Sequence, residues 1–231
     1  MNVPEHEYHL EGQKFWCRDS TNDEDVVRSC RSEYVLPSME GYEPGSFVVD
    51  IGAHLGAFTC WAAQKYRDCR IIAVEPIPEN QVQFLKNIEL NGLQDRVSLM
   101  RGAGWSKKEP TVVIPYGDES TESGRIHQWV GNACEVPKST NKHIIAKTFS
   151  MADILAGMDK VWCVKLDCEG GEDYLLPEAE LDDLLGVKWI IGEFHNGIEK
   201  IREALKGEFK EHKMDHPALF CFENPMAFRF L

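Results

Sequence analysis

The sequence contains no Cys-x-x-Cys pair, no membrane-length apolar run, no Gly-x-Gly-x-x-Gly and no surplus of positive charge. Each absence removes a class of protein. The eight cysteines (17, 30, 60, 69, 134, 163, 168 and 221) are scattered, whereas a tetrahedral zinc site usually draws two ligands from one tight turn. Several lie in apolar runs, as Cys163 does in Val161-Trp-Cys-Val164, and read as reduced, buried small hydrophobes of a cytoplasmic protein. No segment approaches the ~18–20 uninterrupted apolar residues of a membrane span. The acidic start, Met-Asn-Val-Pro-Glu-His-Glu, is followed by no signal-type apolar core. A net charge of −13 repels both a phosphate backbone and an anionic lipid surface, so neither nucleic acid nor membrane is an expected partner. There is no internal repeat and no low-complexity linker.

What is present is enough for one domain: 231 residues, 43% of them hydrophobic, with ordinary glycine and proline usage. Residues 1–45 are the most acidic stretch, with ten Asp or Glu against four Lys or Arg, and read as an N-terminal cap or lid. Within it Asp23 to Leu36 has helical spacing in Val26, Val27, Cys30 and Tyr34, with Thr21 or Asn22 as cap. Residues 46–231 form the main domain. Phe47-Val-Val-Asp-Ile51 and Arg70-Ile-Ile-Ala-Val-Glu75 are apolar runs ending on or beside an acid, as strands buried on both faces should be. Helices at Thr59–Tyr66 and Glu79–Asn91 alternate with them, the second by the spacing of Val82, Leu85, Ile88 and Leu90. A third strand at Arg96–Met100 completes βαβαβ, hence a parallel sheet with right-handed crossovers. An irregular insert follows over about 101–147, with strands at Thr111–Ile114 and His143–Phe149 around the polar stretch Gly117–Thr140. The alternation resumes with helix Ser150–Ala156, strand Val161–Leu166, a helical stretch through Tyr174–Leu185, strand Val187–Gly192 and helix Gly197–Leu205. Two strand-like pieces close the chain, around Ala218–Phe222 and Ala227–Leu231.

Four constellations sit at the ends of these strands. Asp50-Ile-Gly-Ala-His-Leu-Gly56 joins a strand to a helix: glycine lets the backbone turn and approach a ligand, and the helix N-terminus offers N–H groups. Glu75 ends the next strand, nineteen residues after Gly56, where a carboxylate can accept both hydroxyls of a ribose. Lys165-Leu-Asp-Cys-Glu-Gly-Gly-Glu172 and Gly192-Glu-Phe-His195 end two further strands. Their i, i+2 pairs, Asp167 with Glu169 and Glu193 with His195, point the same way and present polar groups where open α/β sheets bind ligands.

Together these segments resemble the FkbM family of S-adenosylmethionine-dependent methyltransferases, over Asp25 to His195. The resemblance is carried by Val48-Val-Asp-Ile-Gly-Ala-His-Leu-Gly-Ala-Phe-Thr59, Ala73-Val-Glu-Pro76 and, most diagnostically, Val164-Lys-Leu-Asp-Cys-Glu-Gly-Gly-Glu172. It departs from the family at His54, where Asn is frequent, at Cys168, and at Arg101-Gly-Ala-Gly-Trp105. It implies an α/β, Rossmann-like class I methyltransferase fold: a seven-stranded, mostly parallel sheet with helices on both faces and a C-terminal antiparallel hairpin. It implies S-adenosyl-L-methionine as cofactor, contacted by Asp50, Gly52, Ala53, His54, Gly56, Thr59, Glu75, Pro76, Ala103 and Asp167. It further implies methyl transfer to a hydroxyl of a small molecule, sugar or natural product.

An alcohol acceptor loses a proton as it attacks, so the catalytic candidates are His195, Asp167, Glu169 and Glu193. His195 is the first choice of base because its ordinary pKa is nearest neutrality, and Asp167 the second. A metal held by Asp167, Glu169 and His195 is chemically conceivable, but none is expected. A small hydroxylated acceptor is the expected partner, and a homodimer remains open. The residues alone also fit an NAD-type oxidoreductase, weakened by the missing third glycine, or a noncatalytic binding protein on the same fold.

Overall fold

The computed structural model describes residues 4–34, 37–38, 40–116 and 142–228. The chain opens with a hairpin that the sequence reading did not anticipate. Strands β1 (Glu5–Leu10) and β2 (Gln13–Arg18) pair antiparallel with Leu10 opposite Gln13. The two-residue turn, Glu11-Gly12, has positive φ at both positions (48° and 83°), the backbone that matches strand twist in tight hairpins. β2 alternates as a half-buried strand should, with Gln13, Phe15 and Cys17 inward. β1 is too polar to advertise itself. Helix α1 (Asp23–Glu33) follows, its Asp23 amide donating to Thr21 Oγ1 at 3.2 Å. It ends at Glu33 rather than Leu36, because Tyr34 is extended.

The main sheet holds β3 (Phe47–Ile51), β4 (Arg70–Glu75), β5 (Val97–Arg101), β9 (Val161–Leu166), β10 (Val187–Glu193), β11 (Lys210–His212) and β12 (Leu219–Glu223). Their spatial order is β5-β4-β3-β9-β10-β12-β11. The first five strands in this order, β5 to β10, run parallel, and β12 is antiparallel to both of its neighbours. This is the expected mostly parallel seven-stranded sheet with a terminal antiparallel pair, the class I methyltransferase fold. The pair is made from different residues than expected. Lys210–His212, not Ala227–Leu231, partners the Leu219 strand; Ala227 and Phe228 lie in a turn, and 229–231 fall outside the described residues.

Alternate strand residues feed two cores, one on each face. Val48, Ile71, Ala73 and Trp162 join α2 (Ala57–Lys65) and α3 (Pro78–Leu90) on one side. Val49, Ile51, Val74, Val164 and Ile190 join α4 (Met151–Leu155), α5 (Glu172–Leu175), α6 (Leu181–Leu184) and α7 (Glu199–Ala204) on the other. The long helical stretch expected around Tyr174 is thus two short helices. Phe15, Cys17, Val27, Cys30 and Tyr34 belong to the first core, so the N-terminal segment is built into the domain.

The inward face of α3 differs from its apolar spacing. Val82 and Leu85 are exposed, while Gln81, Gln83, Phe84, Asn87 and Ile88 are buried. The reason is the hairpin lying on this helix. Asn87 accepts from Trp16 N–H at 2.7 Å, Gln83 donates to the Trp16 carbonyl, and Asn91 both accepts from and donates to Lys14 backbone. Buried amides here satisfy strand backbone groups that would otherwise be orphaned.

The 101–147 insert is regular where it is described. β6 (Ala103–Gly104), β7 (Thr111–Tyr116) and β8 (Lys142–Phe149) form a separate three-stranded sheet, with β8 parallel to β6 and antiparallel to β7. The polar stretch from 117 to 140 lies outside the described residues. Among the described residues no helix is long and apolar enough to cross a membrane.

Candidate functional site

A cavity of about 200 Å³ opens at the carboxyl ends of β3, β4 and β9, where the strand order reverses and open α/β sheets place their ligands. The loop after β3 turns back so tightly that a Cβ on Gly52 would sit 1.8 Å from the Asp167 carbonyl oxygen. With φ at +82°, only glycine meets both demands. His54 is also left-handed, at φ +48°, a region in which Asn and His are enriched among non-glycine residues. Burial pushes its imidazole down to about 4, so His54 lines the cavity as a neutral group.

Glu75 ends β4 as a buried carboxylate on the cavity wall. Its Oε2 accepts from His54 N–H at 2.9 Å; its Oε1 accepts from Ile77 N–H at 2.9 Å and from Asn80 Nδ2 at 3.3 Å. Burial raises its pKa, and the two backbone donors and Asn80 oppose that rise. Each oxygen keeps acceptor capacity for a group entering the cavity.

The amides of the loop before the helix find their acceptors inside the protein. Gly52 and Ala53 N–H donate to the Val74 carbonyl at 2.9 and 3.1 Å, Gly56 N–H to Ala53 at 2.8 Å, and His54 N–H to Glu75. These four amides are spent within the protein.

Of the residues expected at the cofactor, Gly52, His54, Glu75, Pro76, Ala103 and Asp167 line the cavity. Asp50, Ala53, Gly56 and Thr59 do not. Thr59 Oγ1 donates to Asp50 Oδ2 at 2.6 Å, and Asp50 Oδ1 meets Lys165 Nζ at 3.2 Å across neighbouring strands. Lys165 also donates to the Gly52 carbonyl at 2.8 Å and stands 3.8 Å from Asp167 Oδ2. Asp50 therefore anchors a buried ammonium that braces the loop from behind. Gly56 is required by its φ of +92° and by the Phe84 ring, 3.1 Å from where a Cβ would be, not by a ligand gap.

Among the catalytic candidates, Asp167 and Glu169 line the cavity; Glu193 and His195 do not. Tyr34 donates its hydroxyl to Asp167 Oδ2 at 2.8 Å. His195 is clasped between carboxylates, Nδ1 at 2.6 Å from Glu172 and Nε2 at 3.2 Å from Glu169. Although burial alone would lower it, hydrogen bonds to Glu169 and Glu172 raise its pKa to about 11. At neutral pH it is an imidazolium with both nitrogens engaged, which is a poor resting state for a base. Asp167, Glu193 and His195 offer ligand atoms within 4.8 Å of one another, a trio that differs from the one conceivable in the sequence by Glu193 in place of Glu169. The engaged nitrogens leave His195 no free donor atom for an ion.

The sequence reading missed Asn22, Val26, Asn80, Trp105 and Val112–Ile114, all on the cavity wall, and Tyr34 behind Asp167. Val26 and Tyr34 did carry a signal, in the helical apolar spacing of Asp23 to Leu36. The β7 residues carried none, because nothing local says that an accessory strand reaches the cavity wall.

No family model matches the sequence. Curated relatives are found among fungal proteins. Methyltransferase sdnD of Sordaria araneosa is 26% identical over 177 residues, covering 72% of this chain and 61% of that protein. Methyltransferase 1 of Beauveria bassiana is 40% identical over 141 residues, 55% of each chain. The chain thus spans somewhat over half the length of the curated relatives it matches. Among solved structures, precorrin-6y C5,15-methyltransferase of Geobacter metallireducens is similar at 14% identity and a TM-score of 0.46, over 91% of this chain and 89% of that one. The tRNA methyltransferase TrmK of B. subtilis is similar at 16% identity and a TM-score of 0.45, over 79% and 62%. The chain has a class I methyltransferase fold, and the curated proteins it resembles in sequence are methyltransferases.

Proposed function

We propose that this chain is an S-adenosylmethionine-dependent methyltransferase acting on a hydroxyl group of a small acceptor, as FkbM-type enzymes do. The observation that carries the reading is the sign of the cavity wall. Glu75, Asp167 and Glu169 face it and, among the described residues, no lysine or arginine does. Such a wall favours a ligand bearing a sulfonium and an ammonium over one bearing a pyrophosphate. The spent amides of Gly52, Ala53, His54 and Gly56 argue the same way, since dinucleotide sites hold pyrophosphate on free loop amides. The NAD-type alternative loses these four loop donors for its pyrophosphate.

The residues fit the cofactor as a set. Glu75 accepts from ribose hydroxyls, and the apolar wall of Ile77, Ala103 and Val112 accommodates the adenine. Asp167 and Glu169 face the cationic part. Bound there, the cofactor supplies an electrophilic methyl group for in-line displacement. The chain contributes orientation and proton removal. Asp167 takes the role of base, because Tyr34 fixes one of its oxygens and leaves the other for an acceptor hydroxyl. The net charge of −13 supports a small acceptor over a polyanion. Seven free cysteines among the described residues support a reducing, cytoplasmic setting.

Isothermal titration with S-adenosylmethionine, S-adenosylhomocysteine and NAD tests the reading. The first two should bind and NAD should not. Glu75→Ala should weaken cofactor binding by about 1.5–3 kcal/mol, the value of hydrogen bonds to a charged acceptor. Unchanged affinity in a folded Glu75→Ala protein discards the ribose assignment.

A further inference from the structure

We infer that Arg18 and Asn80 form a positioning relay for the ribose carboxylate Glu75, which makes the N-terminal hairpin part of the cofactor site; the inference rests on the S-adenosylmethionine reading. Arg18 ends β2 with its side chain 13% exposed. Its Nε and Nη2 each donate to the fully buried Asp23 carboxylate at 2.8 Å, and Nη2 also donates to Asn80 Oδ1 at 2.9 Å. A guanidinium has donors only. The oxygen of Asn80 therefore faces Arg18, and its amide nitrogen is left to donate to Glu75 Oε1. Cation on one side and anion on the other set an amide orientation that an isolated Asn would leave open.

The arrangement closes on itself. Asp23 neutralises Arg18, the His54 ring stands 3.9 Å from Asp23, and the His54 backbone N–H holds the other oxygen of Glu75. His54, Glu75 and Asn80 all line the cavity, as do Asn22 and Val26 beside Asp23. Docking of the hairpin does not require Arg18–Asn80, because Gln83, Asn87 and Asn91 already bind the backbone of Trp16 and Lys14. The contact reaches past the docking seam to the one carboxylate that must present fixed lone pairs to a ligand. Arg18 and Asn80 are positioning residues, acting through Glu75.

The test is a double-mutant cycle read by ligand affinity. S-Adenosylhomocysteine and its 2′,3′-dideoxy analogue are titrated into the wild-type chain, Arg18→Gln, Asn80→Ala and the double variant, with thermal unfolding recorded without ligand. Each single variant should lose about tenfold in affinity for S-adenosylhomocysteine. The double variant should lose no more than the weaker-binding single, and the dideoxy analogue should bind all four proteins alike. A purely structural role would weaken both ligands together. That result, wild-type affinity in the single variants, or losses that multiply in the double variant, overturns the relay while leaving the cofactor reading intact. If the wild-type chain binds no S-adenosylhomocysteine, the cofactor reading fails and the relay with it. Should Arg18→Gln not fold, Arg18→Lys takes its place in the cycle.

Discussion

Replacing Gly52 by alanine adds one carbon at the tightest joint in the protein. The backbone there has φ of +82°, and the new Cβ would lie 1.8 Å from the Asp167 carbonyl oxygen and 2.8 Å from its carbon. Two costs combine. The left-handed conformation costs an L-residue roughly 1–2 kcal/mol. Relieving the collision requires the carbonyl to retreat toward an ordinary carbon–oxygen separation of roughly 3.3–3.6 Å, against close-packed strands, at an overpacking cost of typically 1–3 kcal/mol. The sum is about 2–5 kcal/mol, a large share of a stability of about 5–15 kcal/mol. Gly45 provides the internal control. Its φ is +85° and nothing lies within 4 Å of where its Cβ would be, so Gly45→Ala carries the strain without the collision. Urea unfolding of both variants should show Gly52→Ala losing at least about 1 kcal/mol more than Gly45→Ala. It should also bind S-adenosylhomocysteine more weakly, because the displaced carbonyl belongs to a cavity residue. Equal losses in the two variants would refute the account of the loop.

Three further outcomes follow from the same geometry. His195 is raised to about 11 in the fold against an ordinary ~6.5, so its ionisation stabilises the protein fully below about pH 6.5 and fades as pH climbs through 11. The stability gap between wild type and His195→Gln should accordingly shrink from pH 6 to pH 10, and a gap that widens with pH shows that the imidazolium assignment is wrong. Asp167→Asn should depress turnover by ~100- to 10,000-fold as loss of a positioned base, whereas His195→Ala should keep its rate per folded molecule; a reversal of those two results returns the base role to His195. Lys165→Met should destabilise by about 3–5 kcal/mol, since it strands the Asp50 carboxylate, which has no exposed side-chain surface; a chemical-denaturation midpoint matching wild type would show that the ion pair is not a structural brace.

The sequence by itself determined the layered architecture. Phe47–Ile51, Arg70–Glu75 and Val161–Leu166 are strands in the fold with those limits, because apolar runs bounded by glycine, proline or acids leave few alternatives to a strand buried on both faces. The acids and glycines that end these runs stood out for the same local reason, and the fold brings Gly52, Glu75, Asp167 and Glu169 to the wall of one cavity. Tertiary structure decided which of the remaining polar groups face a ligand. Asp50 and Thr59 read like loop residues of a cofactor site, yet a neighbouring strand places Lys165 in register with Asp50 and turns both into bracing. His195 read as a base from an ordinary pKa, and two carboxylates from separate segments made it a cation. The hairpin was hidden because β1 has one wholly polar face, Glu5, Glu7 and His9, and only Tyr8 and Leu10 as apolar residues on the other. Its partner surface is a row of amides, Gln83, Asn87 and Asn91, on a helix whose local apolar spacing points the other way. Periodicity reports what a segment would bury against a generic core. A polar side chain's role depends on which charges and backbone groups the folded chain brings within hydrogen-bond reach, and that information is not local.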